Sequence, residues 1–212
     1  KQIAGKDVAI ITWYASLYEN GRMTSWRQNY AANLTRIKRM GEVSLIKFST
    51  HDYAYDSTHK IAPAADIARG IYDAYFQEFA DTIKDFGGPV FISIDHEMNG
   101  SWYPYSQDYP GTNTTAAEYI AMWRHIVNLF RQRGANNVAW VWAPNVPDVG
   151  RTPATAYYPG DSYVDWIGPS FYSGNQMNAM DALYRTYAPR KPFFITEWAT
   201  APEQNRYNPA FP

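Results

Sequence analysis

The sequence contains no cysteine among its 212 residues, so disulfides, thiol catalysis and cysteine-ligated metal sites are excluded. It also has no excess of charge of either sign, because 19 basic residues are balanced by 20 acidic ones and the formal net charge is −1. Nucleic acid or an anionic membrane as the main partner would favour a basic surface. The charge balance therefore argues against both of these partners.

Long hydrophobic runs are missing as well, and no stretch approaches the ~20 apolar residues that a membrane-spanning helix needs. No signal peptide is recognisable at Lys1. We therefore expect a soluble chain that is either mature or cut from a longer one.

Several catalytic motifs are also absent. No glycine-rich G-x-G-x-x-G turn follows the first apolar run, and no G-x-S-x-G occurs. His96 and Glu97 begin like the zinc motif H-E-x-x-H, but the fifth residue is Gly100, and no His/Asp cluster has metal-ligand spacing. The sequence thus argues against a serine hydrolase and a metalloprotease, and it predicts no metal and no cofactor.

Aromatic residues, by contrast, are abundant: 8 Trp, 18 Tyr and 10 Phe make up 17% of the chain. Each buried ring contributes ~150–250 Å² to a core. We expect about half of the rings to lie in the core. The remaining Tyr and Trp cluster near the ends of predicted strands. This distribution suggests a cleft in which aromatic rings stack on sugars.

Six apolar runs alternate with helical patterns along the chain. The runs predict strands at Asp7–Tyr14, Val43–Ser49, Val90–Ile94, Val138–Trp142, Val164–Tyr172 and Phe193–Glu197. The helical patterns lie at Thr24–Gly41, Pro63–Gly87, Thr115–Gly134 and Ala179–Tyr187, and Thr115 with Glu118 forms a predicted capping box. Strand–helix alternation at this spacing predicts parallel strands with right-handed crossovers, in one domain over residues 1–212.

A barrel fits this pattern better than a doubly wound sheet, and in barrels the chemistry lies where strands end. Six unusual residues fall at such ends: Trp13, His51, Glu97, Trp142, Tyr172 and Glu197. Alternation along the third strand directs Glu97 into the barrel mouth. Neighbouring rings would desolvate this carboxyl group and raise its pKa, whereas the structural alternative is a carboxylate paired with an arginine.

Glu197 repeats this design one hundred residues later, after the apolar run PFFIT and before Trp198. Two carboxylates that converge from different strands are the arrangement for glycoside hydrolysis. A separation of ~5–5.5 Å would leave no room for a water and would imply a covalent glycosyl intermediate. His96 lies between Asp95 and Glu97, so strict alternation points it away from Glu97. A role for both residues requires a local distortion at the strand end.

The segments HEMNGSWYPY, YIAMWRHIVNLFRQRGANNVAWVWAPN, YYPGDSYVDWIGPSFYS and KPFFITEW closely resemble the family-26 glycoside hydrolases, best known for endo-β-1,4-mannanases. The resemblance runs from about Val8 to Trp198. It implies a (β/α)8 TIM barrel and a retaining double displacement, with Glu97 as acid/base and Glu197 as nucleophile. It also implies that His96 touches the sugar at the cleavage point, that Tyr172 hydrogen-bonds the nucleophile and that Trp102 forms a stacking wall.

Other candidates are open to more than one interpretation. His96 has the alternative of a satisfied, helix-facing histidine, and Trp142 and His51 either line the cleft or belong to the core. Trp13 is expected in the cleft. Asp165 lies at the start of its strand and is expected to be structural.

The sequence also departs from the family pattern. Glu97 ends the third predicted strand and Glu197 the sixth, whereas the family places these residues on the fourth and seventh. One strand is therefore missing at each end, and the stacking Trp of the family's eighth strand has no counterpart. We expect a piece of a longer chain.

From these observations we expect a secreted, monomeric, retaining endo-β-1,4-mannanase acting on a polysaccharide. The alternatives are a β-1,3-xylanase, a mixed-linkage β-glucanase, or a glycan-binding relic without catalysis.

Overall fold

The computed structural model describes residues 8–52, 60–172 and 177–199. Its frame is a set of short strands. They are β1 (Ile10–Ser16), β2 (Tyr18–Glu19), β3 (Arg22–Met23), β4 (Val43–Ser49), β5 (Val90–Ile94), β6 (Val138–Trp142), β7 (Asn145–Val146), β8 (Trp166–Ile167), β9 (Ser170–Phe171) and β10 (Glu197–Trp198).

The pairing of these strands is that of a partial barrel. β1, β4, β5, β6 and β8 are neighbours in that order, and every pair is parallel. Beyond β6 and β8, the chain continues as β7 and β9. There β7 pairs with β9 and β9 with β10, again in parallel. A single parallel bridge joins Ile167 to Phe193. The predicted chain order of parallel strands is confirmed, but of the predicted strand Phe193–Glu197 only Glu197 lies in β10, and Phe193 makes only the single bridge. Asp7, predicted to start the first strand, lies outside the described residues.

The predicted strand Val164–Tyr172 forms two short pieces, β8 and β9, instead of one. Pro169 lies between them and has no N–H for a ladder hydrogen bond. A Cβ on Gly168 would lie 2.4 Å from Thr196 and 2.5 Å from Val141, so the neighbouring strands approach closely at this point. Asp165 accepts a hydrogen bond from the Trp140 N–H at 2.8 Å, which fits its expected structural role.

The helices pack outside the strands. They are a π-helical turn at Trp26–Tyr30 that continues as α1 (Ala31–Arg39), then α2 (Ala64–Ala68), α3 (Asp73–Phe86), α4 (Ala116–Arg133) and α5 (Met177–Tyr187). Short 3-10 turns lie at Ala154–Tyr157 and Asp161–Tyr163. The predicted capping box is present, since Thr115 and Glu118 each bond the other's backbone N–H. Among the residues described, no helix has both the length and the apolar character of a membrane span.

The helix predicted from Pro63 to Gly87 is wrong in one respect, because the chain breaks it into α2 and α3. Gly70 lies between them with φ +85°, a left-handed conformation that ends α2 at little steric cost only for glycine. Ile71, which continues the apolar spacing of the predicted helix, is 63% exposed in the resulting turn.

The main core lies between the strands and these helices. Phe48 of β4 contacts the rings of Phe76 and Phe79, and Phe79 stacks on Trp26. Successive strand residues point to opposite faces. Because Phe48 points outward, its neighbour Lys47 points into the barrel, and this places a cation beneath the mouth.

Candidate active site

Glu97 lies in a distorted loop directly after β5. Asp95 and Glu97 have φ values of +46° and +58°, in the left-handed region that non-glycine residues rarely adopt. Such conformations cost ~1–3 kcal/mol each and persist only where the surroundings fix them. Here Asp95 accepts both the N–H and the hydroxyl of Thr50, each at 2.8 Å, and the Glu97 N–H donates to the Ala143 carbonyl at 2.8 Å. The distortion required for His96 and Glu97 to act together is therefore present.

The Glu97 carboxyl group is buried and meets neutral donors. The Trp102 indole N–H donates to Oε2 at 3.0 Å, and the Ser170 hydroxyl donates as well. Burial raises the pKa of Glu97 above its ordinary value, the Ser170 bond opposes this rise, and the charge of Glu197 adds to it. In the described part of the chain no arginine pairs with Glu97, so nothing there supports the alternative of a structural ion pair.

Glu197 opens β10 and lies beside Ser170 in the register of β9. Its Oε1 accepts hydrogen bonds from Lys47 Nζ at 2.6 Å and from the Tyr14 hydroxyl, and its Oε2 accepts one from the Tyr172 hydroxyl. Burial alone would raise the pKa of Glu197, but the Lys47 charge and these bonds lower it to about 2. Glu197 is therefore an ionised carboxylate at neutral pH.

The two glutamates share one cleft. Lys47 Nζ lies 3.4 Å from Ser170 Oγ and 2.6 Å from Glu197, while the Ser170 hydroxyl also bonds Glu97. Carboxylates from the third and sixth barrel strands thus meet around one serine and one lysine. The pKa of Glu97 is raised and that of Glu197 is lowered, and a difference in this direction is what acid-assisted nucleophilic displacement requires.

His96 faces this cleft. Its ring lies 5.2 Å from the Tyr103 ring and 5.8 Å from the Tyr14 ring, and the Tyr105 hydroxyl donates to its carbonyl oxygen at 2.6 Å. Burial, together with the charge of Lys47, lowers the pKa of His96 to about 3. The imidazole is therefore neutral, and the helix-facing alternative for this residue is wrong.

Trp102 and Tyr172 also lie at the cleft, and each is more than a third exposed. Trp102 folds back over Gly100, where a Cβ would lie 2.5 Å from the indole ring. Glycine at this position is what allows the Trp102 N–H to reach Glu97. The structure thus places both residues where the sequence predicts them.

Two predicted cleft residues lie elsewhere. Trp13 packs against Trp26 and Tyr30, with ring centroids 6.3 and 6.0 Å away, in the outer layer. Trp142 is fully buried against Tyr158 and Tyr187, so of its two interpretations the core one holds. Strand alternation explains the error at Trp13, because the next residue along β1 is the one that faces inward.

His51 packs against Tyr103 and Tyr105 and is not seen to bond Glu97 or Glu197. Its buried ring is 5.4 Å from Tyr103 and 5.2 Å from Tyr105. It also lines a cavity of about 420 Å³ beside Pro104 and Tyr109. Neither Glu97 nor Glu197 lines this cavity, so it lies to one side of the cleft that holds these two carboxyl groups.

Three residues of the site were missed by the sequence analysis: Tyr14, Lys47 and Ser170. The register of β1 and β4 places Tyr14 directly beside Lys47. A signal for Lys47 was available, because a lysine inside the apolar run VSLIKFS is almost never fully buried unless it is paired. Within residues 8–52, 60–172 and 177–199, no three acidic or histidine side chains form a group that could hold a metal ion.

Comparisons with known proteins identify the family of the chain. Residues 18–207 match the model of Glycosyl hydrolase family 26. The chain is 33% identical over 190 residues to endoglucanase H of Acetivibrio thermocellus, which covers 84% of this chain and 20% of that protein. It is 35% identical over 122 residues to mannan endo-1,4-beta-mannosidase A and B of Caldalkalibacillus mannanilyticus, covering 55% of this chain and 23% of that protein.

Among solved structures, GH26A from a Muricauda species superposes with a TM-score of 0.69 at 19% identity, over 95% of this chain and 71% of that one. The chain thus spans about a fifth of the length of each of the two curated relatives, and nearly three quarters of this solved structure. The family match covers most of the sequence, and the superposition shows the same barrel fold. The chain therefore belongs to glycosyl hydrolase family 26.

Proposed function

We propose that this chain carries the catalytic site of a retaining endo-β-glycanase, with β-1,4-mannan as substrate. The observation that supports this most is the opposed state of the two carboxyl groups. Glu97 is buried among neutral donors, whereas Glu197 bonds a buried lysine. Glycosidases need one protonated and one ionised carboxyl group on opposite sides of the scissile bond.

The reaction proceeds in two displacements. Ionised Glu197 attacks the anomeric carbon while Glu97 protonates the departing glycosidic oxygen, which leaves a glycosyl–enzyme ester and a shortened chain. Glu97, now a carboxylate, removes a proton from water, and the resulting attack releases the sugar and restores Glu197. Neutral His96 contacts the sugar at the cleavage point, and Trp102 forms the wall on the leaving-group side.

The substrate class follows from the relatives. Mannan endo-1,4-beta-mannosidases support β-mannan. The second candidate is β-glucan, which is favoured by the similarity to an endoglucanase over 84% of this chain. We also propose that the protein is secreted, because a polysaccharide is too large to be taken up intact. We propose further that it is monomeric and forms a single domain.

A polysaccharide panel tests the proposal. Soluble β-mannan, mixed-linkage β-glucan and β-1,3-xylan are incubated with the protein, and proton NMR reads the anomeric form of the first product. We expect the β-anomer to appear first, and viscosity to fall faster than reducing ends accumulate. An α-anomer at early times would show inversion, and binding without any cleavage would show a glycan-binding relic.

A further inference from the structure

Lys47 is a buried cation to which the family resemblance assigns no role. Its side chain has no exposed surface, and it is flanked on β4 by the buried residues Ile46 and Phe48. Removing an ammonium group from water carries a large free-energy cost. An apolar side chain of similar length would fill the same space without that cost, so packing alone does not account for a lysine here.

The contacts of Lys47 centre on one oxygen of Glu197. Its Nζ lies 2.6 Å from Oε1, and in the part of the chain that the structure describes no other lysine or arginine forms an ion pair with this carboxylate. The other titratable groups facing the pair come from β1, from the loop after β5 and from the residue after β9: Tyr14, His96, Glu97 and Tyr172.

The donors around Glu197 divide unequally between its two oxygens. Among the donors that the structure describes, Lys47 and Tyr14 bond Oε1, whereas Tyr172 alone bonds Oε2. We propose that Lys47 is a positioning residue that fixes both the charge and the orientation of the Glu197 carboxylate, so that Oε1 is anchored and Oε2 attacks. This inference rests on the proposed function and assigns a separate role to each oxygen of its nucleophile.

In the attacking step an Oε2 lone pair forms the bond to the anomeric carbon. The bond from that carbon to the glycosidic oxygen breaks with its electron pair, and that oxygen takes the proton of Glu97. Oε1 keeps its hydrogen bond to Lys47 throughout. The ammonium neither gains nor loses a proton in this step.

Two variants separate charge from hydrogen bonding. Lys47→Met removes both the charge and the donor and leaves an unbranched apolar chain, while Lys47→Gln removes the charge and keeps a donor. Lys38→Met on the outer helix α1 is the matched control. Without the cation the protonated form of Glu197 is favoured, so the acid limb of the kcat/KM profile should move up by about one pH unit or more in both Lys47 variants. We expect kcat to fall on the order of 10²-fold, with little change in KM.

Leaving-group dependence provides a second readout. A 2,4-dinitrophenyl glycoside needs no proton donor to depart, so Glu97→Gln should regain most of its rate of glycosyl–enzyme formation on it. The Lys47 variants should not, because they affect the attacking carboxylate. A wild-type acid limb in Lys47→Met and Lys47→Gln, or rates restored by the activated leaving group, would overturn the proposal.

The absence of cysteine permits a chemical rescue. Lys47→Cys introduces a single thiol, which can be aminoethylated in denaturant to a lysine analogue before refolding, with wild type treated identically. The aminoethylated protein should regain the wild-type acid limb, and the unmodified variant should not. Failure of the refolded, modified protein to regain it, while treated wild type does, would count against a specific role for the Lys47 charge.

Carbon-13 NMR of labelled glutamate carboxyl groups decides the matter independently of hydrolysis. The Glu197 resonance, assigned by its loss in Glu197→Gln, should titrate at higher pH in Lys47→Met than in wild type, and at unchanged pH in Lys38→Met. If wild type cleaves no polysaccharide, the proposed function fails while this titration still tests Lys47. If Glu197 titrates alike in wild type and Lys47→Met, the inference fails even for an active enzyme.

Discussion

The surroundings of Glu97 and Glu197 differ more than their sequence contexts do. Both residues follow an apolar run and stand near a tryptophan at a strand end. Around Glu97 the donors are an indole N–H and a serine hydroxyl, whereas around Glu197 they are an ammonium group and two tyrosine hydroxyls. The pKa of Glu97 is raised and that of Glu197 is lowered to about 2.

A third carboxyl group shows which feature matters. Asp95 is fully buried and accepts two hydrogen bonds from Thr50, yet burial raises its pKa to about 7. Neutral hydrogen bonds thus fail to offset burial at Asp95 and Glu97, and only the carboxylate with a cation stays strongly acidic. In the proposed mechanism, the charge of the nearest donor therefore decides which glutamate is the acid and which is the nucleophile.

Removal of the nucleophile should give the largest effect. Glu197→Ala leaves the cleft without an attacking group, and kcat on polysaccharide should fall by about 10⁵-fold or more. Initial rates of reducing-end release measure it, with Glu118→Gln on the outer helix α4 as control. An active Glu197→Ala would remove the asymmetry on which the comparison rests.

Removal of the acid should cost less and depend on the leaving group. Glu97→Gln cannot protonate the glycosidic oxygen, so kcat on polysaccharide should fall ~10²–10⁴-fold. The same variant should form the glycosyl–enzyme at a near-normal rate from a dinitrophenyl glycoside. Equal losses on both substrates would mean that Glu97 does not act as the acid.

Displacement of Trp102 changes the surroundings of Glu97 and leaves the donors around Glu197 in place. A Cβ in Gly100→Ala would collide with the Trp102 ring, moving both the cleft wall and the N–H that reaches Glu97. We expect kcat/KM to fall by about 10²-fold, as for other misplacements on the ångström scale. Ser101→Ala, at the exposed neighbouring position, is the control and should stay near wild type.

Trp102→Phe makes a smaller change, because it keeps an aromatic ring while it removes the N–H donor and the second ring of the indole. The bond from Trp102 lowers the pKa of Glu97, so its loss should raise that pKa further. The alkaline limb of the kcat/KM profile should move to higher pH while the acid limb stays in place, with a loss of about tenfold at the optimum. A shift of the acid limb instead would link Trp102 to Glu197.

Asp95→Asn concerns stability. The folded-state pKa of Asp95 is about 7 against an ordinary value of 3.8, so wild type loses stability as pH rises through this window. Asparagine does not ionise and tolerates a positive φ well. The free energy of unfolding of the variant should therefore not decline in this way. The difference between variant and wild type should shift in favour of the variant by up to about 4 kcal/mol from pH 4 to pH 8. Urea unfolding at both pH values measures it, and parallel behaviour of the two proteins would contradict it.

Much of the frame could be predicted from the sequence. Apolar runs and capping residues predict five of the six strands and the start of α4, because burial and local hydrogen bonds act over a few residues. The sixth prediction shares only Glu197 with β10. The break at Gly70 was missed because the apolar spacing continues through it, and a single glycine within a helical pattern does not reveal a turn.

The site divides in the same way. Glu97, Glu197, Trp102 and Tyr172 come from short motifs and lie in the cleft. The sequence predicts Trp13 in the cleft instead of Tyr14, because composition does not reveal which face of a strand turns inward. Lys47 contacts a partner 150 residues away, so no local pattern could name that partner.

Trapping with an activated 2-fluoro glycoside tests the central claim most directly. The fluorine slows release of the glycosyl group, so the ester accumulates on whichever residue attacked, and peptide mass spectrometry locates it. The account predicts a single label on Glu197, formed faster in wild type than in Lys47→Met. A label on Glu97, or inactivation without any covalent sugar, would contradict it.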